Sequence, residues 1–184
     1  MRKSRLAVKN PHEGRIAELA KNTNHKTLAT WALDCAERVL PYFESKYPND
    51  DRPWKAITTG RTWVKTGVFR MAVIRKAALD AHAAARQAEN DDVARSAARS
   101  AGQAVAAAHV PTHALAAAAY AATTARDAAD QAEADAATAR EREWQYQHLI
   151  RLRRWNGANL SSESRRASNM GTCRARNASR RRVL

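Results

Sequence analysis

His109 and His113 stand four residues apart, the spacing that sets two imidazoles on one face of a helix, and Tyr120 continues the stripe. Upstream, Arg75, Leu79, His82 and Arg86 follow one another at steps of four, three and four. Two facing helices would therefore gather three imidazoles and two guanidiniums. Imidazoles at such spacing can ligate zinc or iron. Against this, Pro111 interrupts the interval between His109 and His113, and no Glu accompanies them as in the His-Glu-x-x-His arrangement. Histidines hydrogen-bonded between close-packed Ala faces account for the same pattern, and a partner-binding role is the third reading. No metal and no cofactor is assigned.

Other chemistry has less to stand on. There is no Gly-x-Ser-x-Gly elbow and no Gly-rich phosphate loop. Cys35 lies among apolar helix residues and Cys173 in a basic stretch, neither with a Cys or His at ligand spacing. Cys35 reads as a small buried hydrophobe. The adjacent acids Asp50-Asp51 and Asp91-Asp92 point differently on a helix, so capping explains them better than paired acid–base work. The expectation is a protein without catalysis.

The elements that must carry these residues are helices. Between Arg99 and Arg126 no side chain is formally charged and Ala dominates. The stretch is long enough for a membrane span. However, Ala gains little from lipid, and Gln103, His109, Thr112, His113, Thr123 and Thr124 each cost energy there. A central helix or helical hairpin of an all-α, Ala-rich bundle is predicted instead, with five to seven helices and no membrane association. A short helix is expected near Gly14–Lys21. A helix capped by Asn24 carries Leu28, Trp31, Ala32, Cys35 and Val39, and Pro41 should end or bend it. The next starts at Asn49–Pro53, with Trp54, Ile57 and Val64 as its stripe, Gly60 at a close approach and Gly67 as the left-handed terminator. Met71, Ile74, Ala78 and Ala81 are the inward residues of a helix over Val68–Glu89. Another covers Asp92–His109, and the chain from Pro111 to Arg154 is either one helix or two that turn near Thr123–Asp130.

Charge divides the chain. The net charge is +14, yet residues 1–9 carry four cations and no acid, and Arg151–Leu184 carries ten cations against Glu163. The body is nearly neutral. The expected organisation is a polar arm over 1–24, a bundle over 25–155 and a disordered Arg/Ser-rich tail over 156–184. Nucleic acid could be held through the basic ends by counterion release. No apolar run follows the basic first residues, as a signal peptide requires, so a cytoplasmic protein is expected.

Four stretches, in order, carry a further signal. They are Trp31-Ala-Leu-Asp-Cys-Ala-Glu-Arg-Val-Leu40, Asp50-Asp-Arg-Pro-Trp-Lys-Ala-Ile57, Arg75-Lys-Ala-Ala-Leu-Asp-Ala-His-Ala-Ala-Ala-Arg86, and Ala108-His-Val-Pro-Thr-His-Ala114 with Ala119-Tyr-Ala-Ala122. Together, over about His25–Leu149, the chain resembles the Imm-5-like putative immunity proteins of bacteria. The resemblance implies a non-enzymatic helical protein that neutralises a toxin by binding it in the producing cell. It picks out Asp34, Asp51, Arg52, Arg75, His82, Arg86, His109 and His113 as a partner-binding or buried polar set, without a role for any one of them. Trp54 departs from the expected Arg-Pro-Arg, and the segment after Leu149 departs from the family pattern altogether. A nuclease toxin would favour an acidic face, which Asp127, Asp130, Glu133 and Asp135 could supply. The toxin's identity and the oligomeric state are left open.

Overall fold

The computed structural model describes residues 11–155, and among these it contains seven helices and no strand. They are α1 (Pro11–Lys21), α2 (His25–Glu44), α3 (Arg52–Thr66), α4 (Met71–Gln87), α5 (Asp92–Ala106), α6 (His113–Asp127) and α7 over 134–155. Of the described residues, 11–150 belong to one compact unit and 151–155, which are helical, to a second. The expectation of a disordered tail over 156–184 lies outside the described residues.

Local chemistry sets the boundaries. The Asn24 carboxamide accepts from the Thr27 amide at 2.9 Å, and Asp91 accepts from the Ala94 amide at 2.8 Å, each satisfying a first-turn N–H. Gly67 ends α3 at φ 70°, a conformation that costs a residue with Cβ dearly. Pro41 does not end α2, which runs on to Glu44. Pro41 is exposed near the helix end, where the hydrogen bond it cannot donate is lost at little cost. The chain from His113 onward is two helices, separated by the turn over 128–133.

The uncharged stretch is the helical hairpin α5–α6, and α5 lies at the centre, packed against α2, α3, α4 and α6. Its buried residues are Ala94, Ser96, Ala97, Ala98, Ser100, Ala101, Gly102, Ala104, Val105 and Ala106. Such small side chains let backbones come close. The Ser100 hydroxyl, itself buried, donates to the Ala117 carbonyl of α6 at 2.8 Å. Large side chains come mainly from elsewhere: Trp31, Leu33, Val39 and Phe43 of α2, Ile16 of α1 and Leu149 of α7.

On α3 the buried face is Pro53, Ala56, Ile57, Gly60 and Trp63, whereas Trp54 is half exposed, which corrects the expected stripe. The helix is turned so that Gly60 meets Leu33. A Cβ at position 60 would lie 2.6 Å from Leu33 Cδ2. Gly60→Ala therefore trades about 1 kcal/mol of helix propensity against about 1–3 kcal/mol of overpacking. Net destabilisation of roughly 1 kcal/mol is expected in urea unfolding, relieved when Leu33 is also made smaller. Met71 likewise lies outside, while Ile74, Ala81, Ala84 and Ala85 form the inner face of α4.

Candidate interaction surface

Two polar systems stand out, one interior and one on the surface. The interior one is built by α7, whose inward face is largely polar: Thr138, Glu141, Arg142, Gln145 and Leu149 are all buried. Gln145 is 0% exposed, and its Nε2 donates to the Ala118 carbonyl at 3.0 Å and to Glu141 Oε1 at 3.1 Å. Its Oε1 accepts from Arg142 at 3.1 Å, and its backbone carbonyl accepts from Trp31 Nε1 at 2.8 Å. Arg38 of α2 closes on Glu141 at 2.8 Å, with its guanidinium also over the Trp144 ring. Asp34 joins α2 to α3 and α7, meeting Arg61 at 2.5 Å and His148 Nε2 at 2.6 Å. Arg61 also pairs with Glu37. At the α1 end, Arg15 donates to the Tyr146 hydroxyl at 2.9 Å and His12 meets Glu143 at 2.8 Å.

Burial pushes the Glu141 carboxyl above its ordinary value, outweighing the Arg38 and Gln145 contacts that favour its anion. Burial lowers the Arg142 guanidinium, and lifts the Cys35 thiol well above its usual range, with Glu141 and Asp34 adding to the lift. A thiol held protonated in this way is a packing group rather than a nucleophile. A carboxyl raised in the fold binds its proton more tightly there than in the unfolded chain. Its contribution is full below the ordinary value of 4.5 and declines as pH rises through the raised one. Glu141→Gln should remove that decline. Urea unfolding of the two proteins between about pH 4 and pH 7 should show wild-type stability falling relative to the variant as pH rises.

The surface system lies on α4. Met71, Arg75, Leu79, His82 and Arg86 fall within an arc of about 80° on a helix of 100° per residue. Leu79 is 53% exposed and Met71 49%, and Val68 and Phe69, just before the helix, are exposed as well. Arg75 and Arg86 are exposed, and His82 is half buried. At the α4 C-terminal end, Arg52 holds Asp50 at 2.7 Å and donates to the Gln87 side chain, while Asp51 pairs with Lys55 at 2.9 Å. The Arg52 guanidinium keeps the Asp50 carboxyl below its usual range.

The His-Val-x-x-His stretch reaches the same region by a turn instead of a helix. Backbone bonds from His109 and Val110 to the Ala106 carbonyl, and from His113 to Val110, fold the chain back between α5 and α6. The His109 and His113 rings then sit 5.4 Å apart, with His109 exposed and His113 half buried. No three His, Cys, Asp or Glu side chains among the described residues converge as a metal site. Of the eight residues singled out by sequence, the fold gathers His82, Arg86, His109 and His113. It leaves Asp34 in the α2–α3–α7 network, Asp51 and Arg52 at the start of α3, and Arg75 on the open stripe. The four acids proposed as a face are partly neutralised: Asp127 pairs with Arg126 at 2.8 Å and Glu133 with Arg140 at 3.5 Å.

Residues 18–152 match the family described as Imm-5 like putative immunity protein. The chain belongs to this family. The match takes in α2 to α6 entire, most of α7 and the end of α1, so the surface system and all of the interior one except His12 and Arg15 lie within the Imm-5-like region. Nothing matched among the curated proteins or the solved structures. No helix among the described residues of this Imm-5-like chain is long and apolar enough to cross a membrane.

Proposed function

We propose that this Imm-5-like protein neutralises a cognate toxin by binding it and covering its working surface, without catalysis, in the cytoplasm of the cell that makes both. The observation that carries this reading is the outer face of α4. Val68, Phe69, Met71 and Leu79 place large apolar side chains in water within a dozen residues, where a bundle with no partner would place polar ones. At about 1.5 Å per residue, the 17 residues of α4 present a rod about 25 Å long. With the α3–α4 loop, that span suits a contact of the standard size, about 800 Å² per partner. Exposed aromatic and aliphatic side chains flanked by Arg are the composition from which binding hot spots are made. Occlusion needs only a rigid surface, and the α5–α6 hairpin behind α4 supplies rigidity.

The test is co-expression with the toxin encoded beside this gene. Growth should be restored and the two proteins should co-purify. A wild-type protein that neither restores growth nor retains the toxin overturns the reading.

A further inference from the structure

The cationic end of the α4 stripe brings Arg86, Arg99 and His113 to bear on His82. Several other cations stand beside carboxylates, as in Arg61–Asp34, Arg38–Glu141, Arg52–Asp50 and Lys76–Asp80. Among the described residues, neither Arg86 nor Arg99 forms an ion pair with a carboxylate, and both side chains lie at least partly in water. Arg99 of α5 sits over the Tyr120 ring of α6, 5.8 Å from its centre. His82 is pinned at the α4–α5 seam, its ring occupying the space that a Cβ at Gly102 would fill, at 2.9 Å. His113 is fixed by its Nδ1, 2.7 Å from Gln103 Oε1. With the amide oxygen accepting, Nδ1 carries the proton and Nε2 is left to gain one.

The charges that act on His82 are Arg86 from its own helix, Arg99 from α5 and His113 from α6, and on His113 the charge of His109. All are cationic. Burial first, and then these charges, hold both imidazoles below their ordinary value of 6.5, so they are neutral near pH 7. With no carboxylate among the groups that act on its imidazoles, this cluster suits an anion brought from outside.

We propose that His82, Arg86, Arg99 and His113 form a docking subsite for the carboxylates of an acidic segment on a protein partner. The inference rests on the toxin-binding reading and adds the partner's chemistry to it. A second copy of this chain is a poor occupant, because a symmetric contact would set Arg75 and Arg86 against their own equivalents. Met71 and Leu79 on the same stripe favour a protein over a nucleic acid, since the apolar end has no phosphate to meet. A bound carboxylate also reverses the charge felt by the imidazoles, so binding takes up protons and tightens as the pH falls.

The test uses the full chain and a hexaglutamate peptide, with tripolyphosphate as a second arm and sodium chloride at matched ionic strength as the control. The ring-proton signals of His82 and His113 are followed by NMR between about pH 5 and pH 8. Hexaglutamate should shift both signals saturably and raise their midpoints by about one pH unit. In Arg86→Gln/Arg99→Gln, affinity should fall about tenfold or more while the circular dichroism spectrum is unchanged. A response no larger than that to sodium chloride, or an equal response in the double variant, overturns the proposal. So does saturable binding of tripolyphosphate without hexaglutamate, which would assign the cluster to phosphate. Co-expression separates this inference from the parent reading. If the peptide binds but the wild type fails to restore growth, the neutralisation reading falls and the subsite stands. If the wild type and Arg86→Glu/Arg99→Glu restore growth equally, the subsite has no part in toxin docking.

Discussion

Met71→Glu/Leu79→Glu is expected to abolish rescue in co-expression and to weaken the complex by two orders of magnitude or more. The arithmetic is that of hot spots. Each large apolar anchor buried at an interface centre is worth about 2 kcal/mol on truncation, and replacing it with a carboxylate adds the cost of desolvating a charge. Two such sites give at least about 4 kcal/mol, close to a thousandfold in Kd. Both side chains are about half exposed in the bundle, so the change should leave thermal stability within roughly 1 kcal/mol of the wild type. Calorimetric titration beside a thermal melt separates the two quantities. Unchanged affinity in a folded double variant would move the contact off α4.

The second large effect is on folding. Trp31→Ala should cost about 3–5 kcal/mol, the range for removing a fully buried aromatic. Trp31 is 0% exposed, and it spans from α2 to α7 through the 2.8 Å bond to the Gln145 carbonyl. The α5–α6 hairpin beside α2 is made largely of Ala, so it has few long side chains that could move into the vacated space. For a bundle of this size the melting temperature should fall by roughly 10 °C or more. A loss below 1 kcal/mol in urea unfolding would mean that the bundle repacks without its largest core residue.

Much of the frame was legible because its signals are local. Asn24 and Asp91 announce caps through their own side chains, Gly67 announces a terminator through its missing Cβ, and the uncharged run announces the central hairpin. Placement on the correct face was less legible where size and burial disagree. Trp54 and Met71 are large and lie outside; on α3 the close approach of Gly60 to Leu33, which its mid-helix position announced, turns Trp54 to water. The α7 network escaped a hydrophobic reading for a related reason. Its core-facing period is carried by Thr138, Glu141, Arg142 and Gln145, residues that such a reading assigns to solvent. Polar residues at steps of three and four beside Trp144 and Leu149 were the available signal. The histidine pair was found by spacing, yet a turn brings the two rings together, and only the fold shows His82 lying against Gly102.

The all-alanine seam has a bearing on how such a protein can change. Enlarging nearly any side chain on the buried faces of α5 or α6 would force two backbones apart, so substitutions there are closed off by sterics. Apart from His82, which packs against Gly102, the outer stripe of α4 is held by none of those contacts, and its other residues can be exchanged at little expense to the fold. Recognition and architecture are thus written on opposite sides of one helix. A lineage could retarget such a binder to a new adversary by rewriting a handful of positions along a single rod.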